Sequence, residues 1–215
     1  ELIIKGKHYK DHHSSASWTQ DLDISIVWEK VWKNVHNPIA QEETKSKIWE
    51  QIHLFDYNTY SYNLWHQQNN YCPLCLLIPE SKYHLILNCP TTKFLWDGLT
   101  PILLNLHYES ISNEEMAFGM TGNTANILLR NWLTFLLREC IIDQERIAYK
   151  NQLGLHNTTY IQLKFNARLK KEILQSYEYH QSQGTMHIFK HKYRANGVFL
   201  EFDDNIQHYT LPKIF

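Results

Sequence analysis

The sequence predicts a mainly α-helical chain, with a Cys-Cys-His-Cys (CCHC) knuckle embedded among the helices and a small irregular or β part towards the C-terminal end. Three observations carry this expectation. Apolar residues recur at spacings of three and four over long stretches, which lines one face of a helix. Only seven glycines and six prolines occur among 215 residues, so helix breakers and flexible linkers are scarce. Three of the four cysteines crowd into eighteen residues beside a histidine.

The elements follow in order. Residues 1–21 are polar, carry His8, His12 and His13, and read as an N-terminal arm. A helical region, 22–106, comes next. Ile24, Val27, Trp28, Val31, Trp32 and Val35 predict a helix over 22–36, and Ile48, Trp49 and Ile52 predict another over 39–54, after the break at Pro38. A short helix is expected from Asn58 to Trp65. Residues 70–90 hold the cysteines and histidine. Thr91 to Leu106 reads as a helix with Phe94, Leu95 and Leu99 inward and Pro101 as a possible kink.

Residues 107–215 form a second helical region with a basic face. A connection over 110–122 contains a helical turn. The longest pattern runs from Asn123 to about Asn151, with Ile127, Leu128, Trp132, Phe135, Leu136, Ile142 and Ile147 inward. Arg130, Arg138 and Arg146 recur every eight residues and are expected together on another face. Thr158 to Gln181 is a further helix, which Gly184 ends. Residues 185–211 read as short strands or irregular structure.

Hydrophobic residues make up 43% and aromatics 13% of the chain, enough for a packed core. No apolar run approaches the ~18 residues of a membrane span, so no membrane partner is expected. No charged-then-apolar leader opens the chain, which begins at Glu1 and reads as a segment of a longer polypeptide. The net charge of −1 hides an asymmetry: residues 1–122 hold 9 Lys/Arg and 14 Asp/Glu, whereas 157–194 hold seven Lys/Arg and two Glu. A basic stretch in a neutral chain suggests a face for an anionic partner, and a solvated helix face would look the same.

Cys72-Pro73-Leu74-Cys75, His84 and Cys89 spell C-x2-C-x8-H-x4-C. Two cysteines three apart on a tight turn present both sulfurs to one centre, and a histidine and cysteine five apart can close a tetrahedron. That set suits a structural Zn2+, with no position left for a reactive water. Cys140 lies in the apolar run from Leu136 to Ile142 and reads as a buried small hydrophobe.

Trp28-x3-Trp32-Lys33, Ile48-Trp49, Trp65-His66, the Cys72–Cys75 knuckle, Glu80-Ser81-x2-His84-Leu85-Ile86-x2-Cys89-Pro90 and Lys93-x2-Trp96 together resemble the zinc-binding C-terminal region of reverse-transcriptase polyproteins from non-LTR (LINE-type) retrotransposons. The likeness covers about residues 25–105 and is looser beyond. It implies zinc on Cys72, Cys75, His84 and Cys89. It also implies a part in target-primed reverse transcription, holding element RNA or target DNA beside the rest of the polyprotein, in the nucleus after a cytoplasmic ribonucleoprotein stage. The middle spacing of eight is longer than in retroviral knuckles.

No enzymatic activity is expected of this segment, although the parent polyprotein of such a family carries polymerase and endonuclease. The paired aspartates of a polymerase need an aromatic where Glu201 stands before Phe202-Asp203-Asp204, a trio that reads as an exposed turn. No proline is followed by aspartate, as the related restriction-like nucleases require, and Gln162-Leu163-Lys164 is a faint echo only. A binding module is the leading reading, with phosphates neutralised by Lys164, Arg168, Lys170, Lys171, Lys190, Lys192 and Arg194, and by Lys82 and Lys93 near the knuckle. A structural buttress of the polymerase, with zinc as a staple, is the alternative.

Overall fold

The computed structural model describes Trp18 and residues 26–52, 71–79, 81, 83–151, 158–195, 199–203 and 208–210. The expected third helix at Asn58–Trp65, the histidines of the N-terminal arm, and Lys82 lie outside these residues. Helix α1 is Trp28–Val35, α2 covers 42–52, α3 is Pro90–Leu106, α4 Asn113–Phe118, α5 Ala125–Asn151, α6 Thr158–Ser182 and α7 Met186–Arg194. A π-helical turn, His84–Asn88, precedes α3. The chain is mainly helical, as expected. Strands β1, Glu201–Asp203, and β2, His208–Thr210, pair antiparallel with Phe202 opposite Tyr209. No helix among the described residues is long and apolar enough to cross a membrane.

One apolar cluster runs from Trp18 through every helix to Leu200. Helix α5 is its axis: residues 129–142 are buried on all sides. This corrects the expectation of an outward arginine face. Arg130 and Arg138 are fully buried and only Arg146 is exposed. A helix surrounded by packed neighbours has no outward face in its middle, and its cations must find partners inside.

Arg130 finds them. Its Nε and Nη2 donate to the two carboxylate oxygens of buried Glu115, the latter at 2.8 Å. Nη1 donates to the carbonyls of Leu103, at 3.1 Å, and His107, and Nη2 to that of Glu109 at 3.0 Å. One guanidinium thereby satisfies carbonyls at the end of α3 and joins it to α4 and α5. Arg138 donates to the Ala117 carbonyl and lies 5.6 Å from the Trp18 ring centroid. Burial pulls its guanidinium down to about 9.

A second ionic group joins α2, α5 and α6. Buried Glu139 accepts from Lys47 at 2.6 Å and from Arg168 at 2.9 Å, while Lys47 also reaches Glu43 at 3.1 Å. Buried Glu172 accepts from Thr44 and from the Trp132 indole, each at 2.9 Å. Burial holds the Glu139 carboxyl above its usual range, against the pull of Lys47 and Arg168.

Other expectations are adjusted. Phe94 is 57% exposed, since Leu95, Leu99 and Leu103 take the inward stripe and residue 94 sits about 100° away from Leu95. Trp49 is exposed, and Trp28 and Trp32 stack at 5.7 Å on the flank of the core. Residues 186–194 are helical, not strand or irregular: Phe189 and Tyr193, one turn apart, are buried against Tyr177 and Trp132. The backbone of Phe202 and Asp203 is strand, not an exposed turn. Gly184 at φ +66° ends α6 as expected, in a conformation that favours glycine.

Arg130→Met should destabilise the fold by about 3–5 kcal/mol, because it leaves the Glu115 carboxylate buried without its cation. The denaturant midpoint measures this, and the double variant with Glu115→Leu should recover much of the loss.

Candidate metal centre

Residues 71–79 form a closed loop. A bridge between Tyr71 and Pro79 and a 2.9 Å bond from the Cys72 amide to the Ile78 carbonyl hold its base. Inside it the Leu76 amide donates to the Cys72 carbonyl at 2.8 Å, and Leu76 takes φ +57°. This tight turn aims the Cys72 and Cys75 sulfurs to one side.

The other two ligands come from the π-helical turn. In an α-helix, residues five apart point about 140° apart. A π turn carries more residues per revolution, so His84 and Cys89 swing to the same side. The Cys89 amide closes the turn on the His84 carbonyl at 2.6 Å. Ser81 Oγ caps its start, accepting from the His84 amide at 3.0 Å. Trp96, one and a half turns into α3, donates its indole N–H to the Ile86 carbonyl at 2.6 Å and pins the turn to the helix. The Thr91 hydroxyl donates to the Leu74 carbonyl at 3.2 Å and joins α3 to the loop.

The result is a buried Cys3His cluster. Ligand atoms of Cys72, Cys75, His84 and Cys89 all lie within 4.8 Å of one another. Cys72 Sγ and Cys89 Sγ are 3.9 Å apart, and Cys75 Sγ is 3.2 Å from His84 Nε2. Two sulfurs on a tetrahedral zinc, at bonds of about 2.3 Å, stand about 3.8 Å apart. The four residues therefore fit a tetrahedral metal ion of zinc's size.

The electrostatics favour thiolate. Cys89 is pulled down to about 5, first by the Cys72 thiol that donates to it and then by the amides of Thr92 and Thr91 in the first turn of α3. The same hydrogen bond and burial push Cys72 up, while the amides of Cys75 and Leu74 oppose the rise. The N-terminus of α3 thus stabilises anionic sulfur, which a cationic metal completes. Cys140 is apart from this cluster, buried in α5, and burial raises its thiol to about 12.

The cationic candidates divide. Lys164 pairs with Asp143 at 2.9 Å, and Arg168 with Glu139 at 2.9 Å and Glu172 at 3.5 Å. Both lie on the edge of α6 that faces α5, so they serve packing first. Lys170, Lys171 and Arg194 are exposed, as is Lys93 beside the cluster. Lys190 and Lys192 are half-buried. Burial and nearby Lys45 hold the Lys192 ammonium down to about 8, 5.3 Å from the Tyr193 ring centroid.

Sequence reasoning missed the capping Ser81 and the role of Trp96.

With metal bound, none of the four cysteines should react with iodoacetamide at neutral pH. Chelation should expose three thiols and leave Cys140 slowest, read as adduct masses. Early modification of Cys140 would show that its helix is not buried as described. In comparisons with protein-family models, with curated proteins and with solved structures, the chain finds no match.

Proposed function

We propose that this chain is a zinc-stapled helical module that binds nucleic acid, of the kind found C-terminal to the polymerase in non-LTR retrotransposon polyproteins. It would hold template RNA or target DNA there during target-primed reverse transcription. The buried Cys72, Cys75, His84 and Cys89 cluster carries the reading: four ligands at its geometry leave no position for substrate, so the metal acts as a staple. When bound, zinc supplies folding energy and fixes the loop against α3. The exposed cations Lys93, Lys170, Lys171 and Arg194 supply charge for phosphates.

The buttress reading has its own support. Lys164 and Arg168 are spent on internal ion pairs. Tyr71, Leu76, Leu77 and Ile78 are all at least 44% exposed on the metal loop, an apolar tip suited to protein contact.

Protein purified without added metal should carry about one zinc per chain, and Cys75→Ser should lose it together with the fold of the segment. A labelled RNA and a nicked duplex should both bind at low salt. Lys170→Glu with Lys171→Glu should weaken binding more than Lys164→Gln, and binding by neither nucleic acid would favour the buttress. Supercoiled plasmid should remain intact with magnesium or manganese.

A further inference from the structure

Residues 179–200 contain no Asp or Glu, yet hold Lys190, Lys192, Arg194 and three histidines, His180, His187 and His191. Helix α7 sorts them. Phe189 and Tyr193 point into the core, and Met186 packs beside them. His187, His191 and Arg194, at i, i+4 and i+7, form the opposite face and are all exposed. Lys190 borders that stripe. An outward helical face built from cations and imidazoles, with no carboxylate in its own segment, is a surface for an extended anion.

We infer that the outward face of α7 tracks the phosphate backbone of a nucleic acid, and that His187 and His191 make its hold proton-dependent. This rests on the nucleic-acid reading given above and adds to it a location and a control. Successive residues of the stripe rise about 4.5–6 Å along the helix, so the three side chains are set out in a row and not gathered at one point. Imidazole is the side chain whose charge can change within the physiological pH range, and this face carries two of them beside the guanidinium of Arg194.

The elements packed against α7 carry charged groups of their own. On α6, Glu172 is buried against Thr44 and Trp132, and His180 turns to Thr185 with Nδ1 at 2.8 Å from its hydroxyl. Glu178 is exposed on α6 beyond the acid-free stretch. On α5, Glu139 and Asp143 are taken by Lys47, Arg168 and Lys164, Arg138 and Glu145 are buried, and Arg146 is exposed. Lys45 of α2 acts on Lys192, and Glu201 opens β1. A metal on the His187/His191 pair is disfavoured, since Lys190, Lys192 and Arg194 crowd the same short helix.

The test uses the whole chain with its metal and a fluorescent single-stranded oligonucleotide, titrated over a range of salt at about pH 5.5 and about pH 7, a window below the value of about 8 to which burial and Lys45 hold Lys192. The log–log salt slope should steepen by about one to two at the lower pH. His187→Gln with His191→Gln should remove that difference. His187→Lys with His191→Lys should bind at both pH values as wild type does at the lower. Arg194→Gln should weaken binding at both. Circular dichroism confirms that each variant is folded. Wild-type binding that is indifferent to pH and to the histidine pairs overturns this inference and leaves the nucleic-acid reading standing. Absence of binding at either pH overturns both. Equal competition by polyglutamate would overturn the assignment to a phosphate backbone.

Discussion

The buried pair of Arg130 and Glu115 is the constraint on which the arrangement depends. A guanidinium taken out of water is costly unless nearly all its donors are used. Here four N–H···O contacts besides the first to Glu115 reach that carboxylate and the carbonyls of Leu103, His107 and Glu109. Those carbonyls belong to the end of α3 and the chain that follows it. The direction of α3 is therefore fixed at its C-terminus by a residue of α5. Its N-terminus carries Cys89 and the amides that stabilise the thiolate. The Cys3His cluster and the Arg130–Glu115 pair stand at the two ends of one helix, α3.

Asparagines extend this use of buried polar groups. Asn34 Nδ2 donates to the Phe118 and Gly119 carbonyls at 2.9 and 3.1 Å, and Asn131 exchanges bonds with the Met120 backbone at 2.7 and 2.8 Å. Gly119, at φ +78°, lets this chain reversal pass close by: a Cβ there would lie 3.0 Å from the Asn131 side chain. Such contacts specify one packing of the helices where an apolar core alone would accept several.

What the sequence disclosed depended on how local each signal was. The cluster was legible because Cys72, Cys75, His84 and Cys89 lie within one short segment, and ligand spacing is a local constraint. Long helices were legible from periodicity, with boundaries close to those found for α3 and α6. The π turn was not, since nothing distinguishes its composition from that of an α turn. The fate of the arginines was hidden for another reason: the partners of Arg168 include Thr44, 124 residues away, and those of Arg130 lie 15 to 27 residues away. A count of charge by segment cannot tell a cation that faces water from one that faces Glu139. Helix α7 was missed because its inward stripe is only Phe189 and Tyr193, amid polar residues that mimic a loop.

The same contrast in sequence distance sets the order in which the chain can assemble. The cysteine loop, the π turn and α3 close on themselves, and even the hydrogen bonds that join one to the next span only 10 residues, between Trp96 and Ile86, or 17, between Thr91 and Leu74. Helix α2 instead waits for α6, since Thr44 and Glu172 are 128 residues apart. Short-range contacts form early and long-range ones late. On a ribosome, the sulfur cluster can be complete while the helices that will cradle α2 are still unmade, leaving α2's ionisable edge and apolar face open to water until most of the chain has been synthesised.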